Sequence, residues 1–181
     1  MAGEMREDME QLLYTEEQLQ TRVRELGAAI TRDYAGRQPF FLGVLKGCFV
    51  FMADLLRAVD LPCELEFMAV KSYRGNSSSG QPEITRDLTR NVEGMDIVIV
   101  EDILDTGVTL NYLVRYLQNR NPASLAIVTL LDKPERRRAD VSADYVGFTV
   151  PDAFVVGYGL DYAEKYRNLP YIGILKPEIY N

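Results

Sequence analysis

The sequence predicts an α/β fold with a mostly parallel central sheet flanked by helices, and three observations predict it. Largely apolar runs at 40–45, 97–100 and 123–131 suit strands buried on both faces, the pattern of parallel sheets. Between them, apolar residues recur at helical spacing, as in Leu110, Leu113, Val114 and Leu117. Each run also ends in polar residues: Lys46-Gly47, then Glu101-Asp102 and the turn Asp105-Thr106-Gly107-Val108-Thr109, then Asp132-Lys133-Pro134. Ligands of open α/β sheets bind outside the carboxyl ends of the strands.

Thr15-Glu16-Glu17-Gln18 has the form of a capping box, and Leu19, Val23, Leu26 and Ile30 carry a helix from there toward Gly36. The strand 40–45 stops at Lys46-Gly47, a pair that by itself also fits an ordinary turn, and 49–59 follows as a helix. A strand at 65–70 leads into a polar passage, 72–88, centred on a Ser-rich stretch. Loops of that length inside a domain are usually working lids or disordered segments. After the unit 95–117, Asn121-Pro122 ends the helix and a buried strand occupies 123–131. The charge run 135–138 is expected to be a solvated loop, and 145–150, 154–157 and 171–175 are three further short strands.

With 181 residues and 47% hydrophobic content, the chain fits one α/β domain spanning 1–181. Its 20 Lys and Arg against 27 Asp and Glu give a net charge of −7, which argues against a nonspecific nucleic-acid binder, and nucleic acid is not an expected partner. No run approaches the roughly 20 apolar residues of a membrane span, and the acidic start, 1–10, lacks the pattern of a signal peptide. No membrane partner is expected, and a reducing cytoplasm is the expected location. Cys48 and Cys63 lie in apolar surroundings without a CxxC pattern and are expected to be buried thiols. The chain has no His, so Ser-His-Asp and Cys-His chemistry are ruled out and acid-base work falls to carboxylates, Lys or Tyr.

The turn at 105–109 sits between a strand end and a helix start, where free backbone N–H groups and the positive end of the helix dipole favour an anion. Phosphate is the natural guest, with Gly107 allowing close backbone approach. Glu101, Asp102 and Asp105 would repel it unless sugar hydroxyls or a hard cation such as Mg²⁺ stand between them. Asp105 taken alone also fits a cap of the following helix.

The pattern of apolar strand, Glu101-Asp102, two apolar residues and Asp105-Thr106-Gly107-Val108-Thr109 resembles the 5-phosphoribosyl 1-diphosphate motif of type I phosphoribosyltransferases. With Leu45-Lys46-Gly47, Ser72-Tyr73, Lys133 and the segment from Pro151 through Phe154-Val155-Val156-Gly157-Tyr158 to Asp161-Tyr162, the chain resembles the hypoxanthine-guanine branch over nearly its whole length. The resemblance implies the type I fold, with a small hood subdomain built from the chain ends and a flexible lid loop at about 72–88. It implies Mg²⁺-dependent transfer of a phosphoribosyl group to a 6-oxopurine, with a homodimer or homotetramer as the assembly.

By the same resemblance, Glu101 and Asp102 hold the ribose hydroxyls and help place Mg²⁺, and Thr106, Gly107, Val108 and Thr109 cradle the 5-phosphate. Asp105 is the general base at purine N7. Lys46 and Gly47 bind diphosphate, with the Leu45–Lys46 peptide a candidate cis bond, and Arg167 is the second diphosphate contact. Lys133 donates to the purine 6-oxo group, Phe154 stacks on the base and Val155 offers backbone groups to its edge. Asp161 lies beside the base and ligates a second Mg²⁺. Ser72 and Tyr73 begin the lid. The same fold also serves enzymes for xanthine, adenine or uracil, as well as RNA-binding regulators. An RNA binder would want a basic face and would lack an acid at position 105.

Overall fold

In this computed structural model the described residues are 2–71 and 82–180. The expected lid residues Ser72 and Tyr73 lie outside them. In chain order the elements are α1 (Ala2–Glu7), β1 (Met9–Tyr14), α2 (Glu16–Asp33), β2 (Phe40–Leu45), α3 (Phe49–Ala58), β3 (Glu64–Lys71) and β4 (Glu83–Arg86). They continue with β5 (Asp96–Leu104), α4 (Val108–Gln118), β6 (Ser124–Asp132), a short 3-10 turn (Pro134–Arg136), β7 (Tyr145–Thr149), β8 (Val155–Val156), β9 (Ile172–Leu175) and α5 (Pro177–Tyr180).

Among the described residues the main sheet has the order β4-β3-β2-β5-β6-β7. All neighbours are parallel except β3 and β4. The chain winds outward from β2 to β3, then returns to lay β5 on the other side of β2 and winds outward again. The winding therefore reverses between β2 and β5, which sets their two carboxyl ends side by side at a crevice suited to a ligand.

Alternation along the strands decides which helix each side chain meets. Phe41, Val98 and Val100 face one way, into a core shared with α2 and α3. Phe40, Leu42, Ile97 and Ile99 face the other, against Leu110, Leu113 and Leu117 of α4. All seven strand residues are fully buried, each side chain contributing about 1.5–3 kcal/mol through burial. The capping box forms as expected, with Gln18 N–H donating to Thr15 Oγ1 and Thr15 N–H donating to Gln18 Oε1.

The chain ends build a second, three-stranded antiparallel sheet in the order β1-β9-β8, the small subdomain expected from the resemblance. Its core is Val156, Tyr166, Leu169 and Leu175, with Met5 and Met9 packed against it. β1 is absent from the sequence expectation, because its ladder to β9 shifts register twice and its residues alternate poorly.

Three further expectations are corrected. The acidic pair Glu101-Asp102 belongs to β5 itself, because the ladder to β6 continues through Glu101↔Thr129 and Leu104↔Asp132. The end of the polar passage, Glu83–Arg86, is an edge strand rather than loop, with Ile84 packed on the α4 side of the sheet. Cys48 is buried as expected, whereas Cys63 is only half-buried.

Candidate active site

The carboxyl ends of β5 and β6, the start of α4 and the segment entering β8 line a cavity of about 770 Å³, within the usual range for small-molecule sites. Asp105, Thr106, Val108, Thr109, Lys133, Phe154, Val155 and Asp161 line it, whereas Lys46, Gly47, Glu101, Asp102, Gly107 and Arg167 do not.

α4 begins in the manner its turn predicts. Gly107 is the N-cap, at φ 77°, and makes no side-chain cap; the Thr106 hydroxyl accepts from Val108 N–H at 3.5 Å. A Cβ at Gly107 would lie 2.6 Å from Val141 Cγ1, so both the left-handed backbone and the packing require glycine. The turn is held from across the loop, as Arg138 N–H donates to Thr106 C=O at 2.9 Å. The uncapped N–H groups at the start of α4 are thus presented to the cavity, where an anion satisfies them. Asp105 does not cap the helix. Its Oδ1 lies 2.7 Å from Arg136 Nε, and its backbone C=O accepts from Arg137 Nε at 3.1 Å.

Glu101 is buried and Asp102 half-buried, side by side on β5. Burial raises both carboxyl groups, Asp102 to about 6, and the charge of Asp102 raises Glu101 further. Arg167 pulls Asp102 back down, whereas Asp161 pushes it up. Such a pair invites a cation or hydroxyl donors. Among the described residues no three metal-ligating side chains converge as a cage. Mg²⁺ does not require one, since it is usually held by one or two carboxylates with waters and substrate phosphates completing its shell.

Gly47, one of the residues expected to bind diphosphate, packs closely against this pair. A Cβ at Gly47 would lie 1.6 Å from Asp102 Oδ2, so only glycine lets the loop after β2 lie against the acidic pair. The Leu45–Lys46 peptide, a candidate cis bond from the resemblance, is cis. Arg167 Nη1 donates to Gly159 C=O at 2.8 Å and Nη2 pairs with Asp161 Oδ1 at 2.8 Å. Its buried Nε has no partner among the described residues.

Lys133 follows β6 directly and is 7% exposed, with its ammonium donating to Ala153 C=O. Burial lowers its pKa, while Asp105 and Asp152 act against that shift. Phe154 stacks on Tyr180 at 4.8 Å and meets Tyr162 edge-on at 5.5 Å. Val155 is buried in β8, where it pairs with Ile174.

Sequence reasoning missed Arg136, Arg137 and Tyr180. The run 135–138 is not a plain solvated loop: Arg136 bridges Asp105 and Asp152, the latter at 3.1 Å. Arg137 pairs with Asp132 and donates to Val141 C=O at 2.8 Å. The only signal was the density of guanidinium groups just after a strand end.

Comparison with known proteins agrees with this geometry. The phosphoribosyl transferase domain family matches residues 11–163. Hypoxanthine-guanine phosphoribosyltransferase of Bacillus subtilis is 57% identical over 178 residues, covering 97% of this chain and 98% of that protein. The enzyme of the same name from Staphylococcus aureus is 52% identical, covering 98% of this chain and 99% of that protein. A crystal structure of hypoxanthine phosphoribosyltransferase from Staphylococcus aureus superposes with a TM-score of 0.94 at 52% identity, covering 98% and 97% of the two chains. The chain therefore belongs to the phosphoribosyl transferase family, in its hypoxanthine-guanine branch.

Proposed function

We propose that the chain transfers the 5-phosphoribosyl group from 5-phosphoribosyl 1-diphosphate to hypoxanthine or guanine, giving the purine mononucleotide and diphosphate. The observation that carries this reading is one cavity lined by an uncapped helix start, the Asp105 carboxylate and the buried Lys133 ammonium. Those are an anion cradle, a proton acceptor and a fixed donor. The names of the relatives at more than 50% identity agree with it.

In this reading the 5-phosphate rests on the N–H groups and hydroxyls of residues 106–109, and the ribose hydroxyls donate to Glu101 and Asp102. The bond from the anomeric carbon to diphosphate breaks as the bond to a purine ring nitrogen forms, and the N7 proton passes to Asp105. The sugar is then oxocarbenium-like, and the neighbouring carboxylates stabilise its positive charge. Glu101, Asp102 and Asp161 would hold Mg²⁺ together with substrate oxygens, and the ion would supply positive charge against the diphosphate. Lys46, Gly47 and Arg167 receive that group, Arg167 through its planar fork.

Lys133 selects the base. An ammonium has only donors, so it satisfies a 6-oxo group and leaves both partners unsatisfied against the 6-amino group of adenine. Phe154 supplies stacking surface and Val155 backbone groups for the purine edge. The lid starting at Ser72 and Tyr73 excludes water from the reactive centre. The reading takes 1–181 as a single domain working in the cytoplasm as a homodimer or homotetramer, which light scattering on the purified protein checks. No helix among the described residues is long and apolar enough to cross a membrane.

The deciding experiment offers hypoxanthine, guanine, xanthine, adenine and uracil with the donor and Mg²⁺ and follows ultraviolet absorbance. Turnover confined to hypoxanthine and guanine is expected. Turnover with adenine or uracil alone would overturn the base assignment, and turnover with none would overturn the activity.

A further inference from the structure

The two cations assigned to the diphosphate already hold an anion. Lys46 Nζ donates to Glu164 Oε2 at 3.0 Å, and Arg167 Nη2 donates to Glu164 Oε1 at 3.4 Å. One carboxylate thus spreads its two oxygens over the cations that stand ready for phosphate oxygens. Lys46 and Glu164 are 118 residues apart in the chain, so this is a tertiary arrangement rather than a local pair.

The backbone aims Glu164 there. Its N–H donates to Asp161 Oδ2 at 2.9 Å, and Tyr162 and Lys165 close the turn with a β-bridge. Ala163 (φ 50°), Glu164 (φ 64°) and Tyr166 (φ 75°) all occupy the left-handed region. Side-chain-bearing residues persist there only where their surroundings over-determine them. The carboxylate that this turn presents is nevertheless 65% exposed, as is the Lys46 side chain at 66%. Exposed ion pairs add little to stability, so a contribution to folding does not account for the arrangement.

We propose that Glu164 is an internal stand-in for diphosphate, occupying Lys46 and Arg167 in the free enzyme, leaving when the donor arrives and returning as product departs. The inference rests on the reading of this chain as a phosphoribosyl transferase. A diphosphate carries more charge and more acceptor oxygens than one carboxylate, so it displaces Glu164. The apparent affinity falls by the fraction of enzyme in which the cations are free. The same competition acts on the donor and on the diphosphate product. It therefore keeps the product from lingering, which raises turnover wherever release limits the rate.

Glu164→Gln removes the charge and keeps the size. Binding of inorganic diphosphate with Mg²⁺, measured calorimetrically at low salt, is expected to tighten about 2- to 5-fold. KM for the donor is expected to fall by a similar factor, with a smaller change for hypoxanthine. Both effects are expected to fade at high ionic strength, where exposed charges are screened. Glu164→Asp, which retains the charge, is expected to show no tightening. Unchanged or weakened diphosphate binding in Glu164→Gln at low salt would overturn the proposal, as would equal tightening in Glu164→Asp. Failure of the functional reading is separable: it would appear as a wild-type enzyme that turns over no base, whatever the diphosphate titration shows.

Discussion

Asp102→Asn is expected to stabilise the ligand-free protein while weakening its hold on the donor. The Asp102 carboxyl is raised from an ordinary 3.8 to about 6, chiefly by burial beside Glu101 and against Gly47. A group that binds its proton more tightly when folded makes stability fall as pH rises through the interval between the two values. Carrying the folded anion therefore costs stability at pH 7, and that cost shrinks toward pH 4. Asparagine keeps the Oδ1 that accepts from Ile103 N–H at 2.9 Å and removes the charge. A gain of about 1–3 kcal/mol at pH 7 corresponds to roughly 3–10 °C in Tm for a chain of this size. Thermal denaturation of both proteins from pH 4 to pH 8, without ligand, measures it. The burial argument fails if the variant melts no higher than wild type at pH 7, or if the difference does not shrink toward pH 4. With donor and Mg²⁺ present the order is expected to invert, because the role proposed for this pair is to hold the sugar and the cation.

Asp105→Asn is expected to lower kcat by about 10²–10⁴-fold while KM for the donor changes little; unchanged steady-state kinetics would remove it from the role of base. Lys133→Ala is expected to raise KM for hypoxanthine about 10- to 100-fold, the range for losing a hydrogen bond to a charged group; an unaltered KM would refute the contact. Arg167→Lys replaces a fork that bonds Gly159 C=O and Asp161 with a point charge, and KM for the donor is expected to rise about tenfold. Arg137→Ala leaves Asp132 and the carbonyls of Asp105 and Val141 without their donor. A loss of about 2–4 kcal/mol in denaturant unfolding is expected.

Local signals account for much of what was legible in the residues. The capping box, the apolar strands and the turn at 105–109 were readable because each is contiguous, and period and turn chemistry act over a few residues. The edge of the acidic pair was misjudged because charge argues against a buried strand, whereas the β6 ladder carries β5 through to Leu104. β1 escaped notice because pairing with β9, rather than its own pattern, makes it a strand. Arg136 looked like one member of a solvated charge run, and only the fold shows that it reaches Asp105 at 2.7 Å.

Taken alone, the sequence determined a parallel α/β sheet, an anion-ready helix start beside three carboxylates, and the branch of the family, since all of these are written in short contiguous stretches. The tertiary structure decided which of those stretches touch. The reversal between β2 and β5 sets Gly47 against Asp102, the turn after β6 brings two arginines onto Asp105, and the 161–167 segment carries Glu164 to Lys46. Sheet order makes neighbours of residues far apart in the chain, and no local period records that adjacency.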